Sequence, residues 1–340
     1  MSTSFSIIIV TWNGLHHLKT YLPSVLKSVR IEDEIIIADN HSTDGTKEWL
    51  KEHAPECKHL LLDENYGYCG GNNRAAEVAN NEVLLFLNND VRVSPDWLFD
   101  LDRAFQDNLL SAAQPAIYSD QQPDEFEYAG ASGGFLDRNA YPFCRGRIFD
   151  ITEVDHGQYN ESIPILWASG AALAIRKEIF NSLGGFDEDF MFHMEEIDLC
   201  WRVWNHGGLI KVIPTSKVYH LGGGSLSREN PRKTYYNFRN NLLMIIKNTP
   251  KGSLAIRLWI RLVLDGVSAL HFLIKGEFRS ILAILKAHRD FYSLFRLFLK
   301  KREKELSSRT VSEDPSVFWN GNILTSFFLA GRLRYSDLKI

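Results

Sequence analysis

Four short apolar runs alternate with helix-forming segments over residues 6–90, and each run stops at a polar cluster. Residues 6–10 end at Thr11-Trp12-Asn13-Gly14; Leu15, Leu18, Leu22, Val25, Leu26 and Val29 then recur at helical spacing. Residues 34–38 end at Asp39-Asn40-His41-Ser42-Thr43-Asp44-Gly45-Thr46, with a helix expected from Lys47. Residues 60–62 are a weaker run, followed by a Gly-rich loop over 65–73 and a helix over 74–80. Residues 83–87 end at Asn88-Asn89-Asp90. Runs this short and apolar read as strands buried on both faces. Their alternation with helices predicts an α/β fold, a mainly parallel Rossmann-like sheet covered on both sides. Polar clusters that all follow strands gather at the carboxyl edge of such a sheet, where ligands bind. A carboxylate there, such as Asp90, can hold a hard cation that in turn holds a diphosphate; a plain Asn/Asp turn after the strand is the other reading of these residues.

Residues 115–165 are rich in Gly, Pro and aromatics and read as irregular structure with antiparallel strands. Order returns over 167–175, with a helix over 177–183.

Charge is unevenly placed. Residues 1–246 carry 21 Lys and Arg against 34 Asp and Glu, a net of -13; residues 247–305 carry 13 against 5, a net of +8. The whole-chain balance of -4 argues against a general nucleic-acid binder. The basic, apolar region points to an anionic surface as its partner. The four cysteines are scattered with no CxxC pair, which reads as reduced thiols in a cytosolic protein. The first apolar run is too short for a signal-peptide core.

The motif order resembles family 2 glycosyltransferases of the GT-A fold, in the branch that includes bacterial rhamnosyltransferases. The resemblance covers residues 5–245. It rests on the strand end at Ile9-Val10-Thr11-Trp12-Asn13, on Asp39-Asn40-x-Ser42-x-Asp44-Gly45-Thr46, and on Asn65-x-Gly67-x-x-x-Gly71-x-Asn73. Asn88-Asn89-Asp90, Gly184-Gly185-Phe186-Asp187, Glu195-Glu196-x-Asp198 and His220, with Gly222-Gly223-Gly224-Ser225 after it, complete the set.

The resemblance implies a donor site for a dTDP-, UDP- or GDP-sugar formed by Thr11, Asn13, Asp39, Asn65, Gly67, Asn73 and Asn89. It implies Mg²⁺ or Mn²⁺ held by Asp90 and His220. Glu196 aligns with the catalytic base, and a single displacement would invert the anomeric carbon. Where the family often has two carboxylates, this chain has Asn88 and Asn89, whose amides bring no charge. Asp39 reads equally well as a helix cap, and His220 as a structural histidine. Trp167, Ser169 and Gly170 are expected at the acceptor; for Trp167 a place in the core is the alternative. Glu195, Asp198 and Arg239 are expected near acceptor or diphosphate, with an Asp198–Arg202 pair at i, i+4. The carboxylates fall in the first turn of a helix, whose dipole favours their charged form. Gly67-x-x-Gly70 is not a dinucleotide fingerprint, which weakens a nicotinamide-dependent oxidoreductase reading. A transferase-like domain that binds nucleotide and serves as an assembly scaffold stays open.

Residues 246–305 form a separate helical region in this reading. Over 254–274, Arg257, Arg261, Asp265, Ser268, His271 and Lys275 make one narrow polar stripe. Over 278–300, Arg279, Lys286, Arg289, Ser293, Arg296 and Lys300 oppose Ile281, Leu282, Leu285, Leu294, Phe295 and Phe298. Charges this frequent disfavour a spanning helix and favour basic amphipathic helices on the cytoplasmic leaflet of the inner membrane. Packing on the protein or in a homodimer is the alternative. A peripheral location fits a lipid-linked acceptor, as in O-antigen assembly. Catalytic halves are expected over 1–114 and 115–245, and residues 306–340 carry no clear pattern.

Overall fold

The apolar runs become strands. In the computed structural model, which describes residues 2–222, 230–338 and 340, β1 (Phe5–Thr11), β2 (Glu34–Asp39), β3 (Lys58–Leu61) and β4 (Val83–Leu87) are parallel. The crossovers are α1 (Leu15–Ser28), α2 (Thr46–His53) and α3 (Gly67–Glu77). The chain continues through β5 (Val91–Val93), α4 (Trp97–Phe105) and β6 (Leu110–Ser119). A small antiparallel sheet follows, made of β7 (Gly134–Leu136), β8 (Pro142–Cys144), β9 (Arg147–Ile148) and β10 (Ile151–Thr152). Then come β11 (Ala172–Arg176), α5 (Lys177–Ser182), α6 (Glu195–Asn205) and β12 (Leu209–His220). The main sheet has eight strands in the order β3-β2-β1-β4-β11-β6-β12-β5, with β11 antiparallel to β4 and β6. The expected α/β class holds. Gly223, Gly224 and Ser225 lie outside the described residues.

Helix α3 begins at Gly67, seven residues before the expected start. Its glycines serve packing instead of a loop. A Cβ at Gly71 would stand 2.8 Å from Val10 Cγ1, so only glycine lets this helix lie so close to β1.

The expected divisions at 114 and 245 do not fall in linkers. The first lies inside β6 and the second inside α7 (Pro231–Asn248). Leu242 to Ile246 of α7 share one buried cluster with Phe291 and Phe298 of α9 (Phe278–Ser308) and with Ile8 and Phe86 of the sheet. Between them runs α8 (Leu254–Ile274). Residues after 308 also pack. Trp319 N–H donates to the Leu136 carbonyl at 2.9 Å, Ile323 N–H to Asp137 Oδ2 at 2.9 Å, and Tyr335 N–H to Glu153 Oε1 at 3.0 Å.

The first half of the polar stripe of α8 faces inward, while His271 and Lys275 at its end are exposed. Arg257, Arg261 and Asp265 are buried, and Asp265 pairs with Arg261 (2.8 Å) and with His288 of α9 (3.1 Å). The apolar side faces out. On α9 the packing face is Ser280, Ala283, Ile284, Ala287 and Phe291, while Leu282 and Leu285 of the expected apolar side are exposed. A stripe of charge in a sequence locates one helix face without saying what covers it.

Candidate active site

The strand ends are stitched into one edge. Asn40 N–H donates to the Thr11 carbonyl (2.8 Å), and Asn89 Nδ2 donates to Thr11 Oγ1 (2.9 Å), joining β1, β2 and β4. Asn13, at φ +49°, receives Thr43 N–H on Oδ1 (2.8 Å) and donates its own N–H to Ser42 Oγ (2.8 Å). Asp44 accepts Leu15 N–H and Thr46 Oγ1–H, tying the starts of α1 and α2. Asn40 also spans to α3: its Nδ2 donates to the Gly67 carbonyl, and its Oδ1 accepts from Tyr66 N–H. Asn65 Oδ1 accepts Gly67 N–H at 2.9 Å. Asp39, buried, accepts Ser42 N–H on Oδ1 and lines a cleft of about 390 Å³ with His41, Thr43, Lys47 and Leu62.

Further along the edge, β12 sets His220 opposite Val91 of β5, the residue after Asp90. His220 Nε2 stands 3.2 Å from Asp90 Oδ1, and its Nδ1 stands 3.4 Å from Glu127 Oε2. All three are buried. Burial pulls the imidazole pKa down, but the two carboxylates outweigh it and raise His220 to about 10. Burial likewise pushes Asp90 and Glu127 up, and His220 more than reverses this, leaving both below the usual carboxylate range. His17 of α1 feels the same cluster; burial and the neighbouring imidazoles hold it below its ordinary value against the pull of Asp90.

This donor set suits a divalent ion. A carboxylate and an imidazole face each other, His220 Nε2 lying 3.2 Å from Asp90 Oδ1 with both groups buried, and these are two donor types that ligate divalent ions. A cation would take the place of the proton that Asp90 and His220 share. Among the described residues no three acidic, His or Cys side chains converge on one point. Among the described residues the protein would thus offer two ligands, and diphosphate oxygens and waters would supply the rest.

The segment leading into Glu195 and Glu196 is strained. Met191, His193 and Met194 all lie in the left-handed region, at φ +63°, +65° and +73°. Three non-glycine residues there within four positions carry a conformational cost that the surroundings must hold in place. The surroundings do so. Asn240 Nδ2 contacts the carbonyls of Phe190, Phe192 and His193 at 3.0, 2.7 and 2.7 Å. Arg239 Nη2 donates to the Asp189 and Phe190 carbonyls, and Lys301 pairs with Asp187 and Asp189. The segment meets α3, where Cys69 Sγ lies 3.7 Å from the Met191 carbonyl.

Helix α6 begins at Glu195, so Glu195 and Glu196 occupy its first turn as expected. Their protonation is not as expected. Burial outweighs the helix dipole and the backbone N–H groups and raises Glu196 to about 7. Burial, with Glu196 beside it, holds Glu195 protonated well above the usual range. Oε2 of each is buried without a hydrogen-bond partner.

Other expected contacts are spent inside the protein. Trp167 is a core residue: Nε1–H donates to the Phe135 carbonyl (3.0 Å), and its ring fills the space beside Gly134. Ser169, also buried, accepts Ala171 N–H and donates to the Ala129 carbonyl. Gly170 lies closer to the edge, its carbonyl accepting from Tyr68 OH (2.8 Å), while the Ala171 carbonyl accepts from Asn88 N–H. Asn73 is taken at both ends by the Phe186 backbone. Asp198 is fully buried and binds Arg202, Lys247 and Asn248 at 2.8–2.9 Å. Arg239 grips the 189–190 turn. Asp198, Asn73 and Arg239 thus hold the site's frame, and nothing places them on a ligand. Sequence reasoning passed over Glu127, which shares an irregular stretch with Asp124 and Glu125, and Asn240, which follows the singled-out Arg239.

Comparison with known proteins agrees with this architecture. The mannosyltransferase PcManGT of Pyrobaculum calidifontis, solved with GDP-Man and Mn²⁺, aligns at TM-score 0.52 and 15% identity over 91% of this chain and 86% of its own. Residues 1–349 of S. aureus TarS, solved with UDP-GlcNAc, align at TM-score 0.57 and 16% identity over 90% and 89%. These likenesses establish the GT-A fold. In sequence, the N-acetylglucosaminyl-diphospho-decaprenol L-rhamnosyltransferase of Mycobacterium tuberculosis H37Rv is 25% identical over 76% of this chain and 92% of its own. The O-antigen biosynthesis protein RfbC of Myxococcus xanthus is 30% identical over 62% of this chain, which spans 16% of that longer protein. The family model for glycosyl transferase family 2 matches residues 6–182, just over half of the 340, and the chain belongs to that family.

Proposed function

We propose that this glycosyltransferase moves a hexose, with L-rhamnose the first candidate, from a nucleoside-diphosphate sugar to a glycan or lipid-linked glycan, inverting the anomeric carbon. The observation that carries the reading is Glu196. It is a carboxyl raised by burial to about 7, presented by a strained segment beside the Gly67 end of α3. A base with that pKa is half ionised near neutral pH and accepts a proton effectively. The rhamnosyltransferase activity named for the mycobacterial relative, matched over most of its length, supports the sugar.

In this mechanism Asp39 and its cleft receive the nucleobase or ribose. Asp90 and His220 would hold Mn²⁺ or Mg²⁺. The imidazole nitrogen favours Mn²⁺, the softer ion. Such an ion, when bound, neutralises charge on the departing diphosphate. Glu127 orients His220. Glu196 removes the proton of an acceptor hydroxyl as its oxygen attacks the anomeric carbon and the bond to the diphosphate oxygen breaks. Protonated Glu195 leaves Glu196 as the single anion of the pair.

The test is transfer from dTDP-rhamnose, UDP-GlcNAc and GDP-mannose, each with Mn²⁺, with Mg²⁺ and with EDTA. Loss of transfer in Glu196→Gln and Asp90→Ala supports the assignment, and full activity in both overturns it. A second reading, a nucleotide-binding scaffold, draws on Asn88 and Asn89 and on the two-ligand site. Nucleotide binding without turnover on any donor would favour it.

A further inference from the structure

Helix α8 has its amphipathic faces reversed relative to water. Arg257, Arg261 and Asp265 point into the protein, where Arg257 meets Asp314 and Arg261 stacks over the Tyr141 ring at 4.0 Å. Ile256, Trp259, Val263, Val267, Leu270 and Ile274, spaced by three and four, form the outer face; Trp259 is 65% exposed and Ile274 79%. The helix ends in a Schellman turn. Gly276, at φ +73°, donates to the Leu273 carbonyl and Glu277 N–H to that of Phe272, turning the chain tightly into α9. The apolar surface crosses this turn onto Phe278, Leu282 and Leu285, each more than 60% exposed. A soluble surface rarely leaves so continuous an apolar patch uncovered.

No helix among the described residues is long and apolar enough to cross a membrane. The patch is rimmed by exposed Lys275, Arg279 and Lys286. We propose that the α8–α9 hairpin is a monotopic membrane anchor that seats its apolar face in the headgroup region of an anionic bilayer, with these cations at lipid phosphates. Charge decides against a second copy of the chain as the occupant. A two-fold interface through this face would bring together two rims that each carry Lys275, Arg279 and Lys286 against the one acid of the turn, Glu277. Helix α7 packs against both α8 and α9 and carries Asn240 and Arg239 to the base segment. Docking would thus fix the base end of the site relative to the bilayer.

The experiment is sedimentation of the full chain with vesicles of phosphatidylcholine alone or mixed with phosphatidylglycerol, without sugar donor, so that its outcome is independent of transfer. Binding at least tenfold tighter to the anionic vesicles is expected, weakened by Lys275→Glu with Arg279→Glu and lost in Trp259→Asp with Leu270→Asp. These side chains are exposed, and an unchanged circular dichroism spectrum and melting temperature verify that the variants fold. Sedimentation velocity without lipid should give a monomer for wild type. Three results each overturn the proposal: no binding to either vesicle, binding that survives the Trp259 and Leu270 changes, or a dimer that those changes dissolve.

Discussion

His220 Nε2 faces Asp90 Oδ1 across 3.2 Å at the carboxyl edge of the sheet. Glu127 stands behind the ring's other nitrogen. A carboxylate in that position fixes the orientation of a liganding imidazole, and removing such a partner typically costs about 10–100-fold in metal affinity. Glu127→Gln should therefore raise the Mn²⁺ concentration for half-maximal transfer by about that factor, with kcat recovered at saturating metal. Asp90→Ala should lower kcat by about 10²–10³-fold with no rescue. Metal titrations of both variants separate the two roles.

Glu196 makes a pH-dependent contribution of opposite sign to activity and to stability. Its pKa rises from an ordinary 4.5 to about 7 on folding. Transfer should climb with pH and level off above about 7. Between those two values the folded chain keeps a proton that the unfolded chain has released, so stability falls as pH rises through the window. Glu196→Gln should lose about 10²–10⁴ in kcat yet melt higher than wild type at pH 8. The gap should close as the pH falls toward 5. Thermal melts across that range, beside kcat profiles, check both halves.

Asn240 is a positioning residue. Its amide spans three carbonyls of the left-handed run before the base. Asn240→Ala removes this donor from the Phe192 and His193 carbonyls, while the Phe190 carbonyl keeps Arg239 and Phe192 N–H, at a cost of about 1–3 kcal/mol, and lets the run relax. The expected result is a lower kcat with donor KM unchanged, and a pH profile displaced from that of wild type.

Asp198 belongs to the frame. With Asp198→Ala, Arg202 loses its buried carboxylate and Lys247 keeps only Asp187, and breaking such a buried pair costs about 3–5 kcal/mol. Chemical denaturation should register that loss. Donor and acceptor KM of the fraction that remains folded should match wild type.

The strands were legible because buried parallel strands announce themselves as unbroken apolar runs with polar ends. The converging edge followed from that alternation, and the Glu195-Glu196 helix start from its spacing. What stayed hidden was the direction each polar group faces. Asp198 and Asn73 are motif residues, and Arg239 and Trp167 are expected site residues with them, yet their hydrogen bonds run inward to backbone and to buried side chains. The glycines of α3 read as a loop because glycine marks turns, whereas here the missing side chains let a helix approach β1. Burial around Glu196 is a sum over distant segments and has no local signature.

Asp137 and Ile323 are joined by a hydrogen bond across 186 positions. The small sheet of β7 and β8 therefore has part of its lining supplied by chain synthesised much later. During translation the parallel strands can pair early. The patch around Leu136 and Phe143 must wait, its apolar surface open, until residues near Trp319 and Ile323 have left the ribosome. The lining of this sheet is complete only once residue 323 has emerged, and until then its apolar face is surface that a chaperone would have to cover.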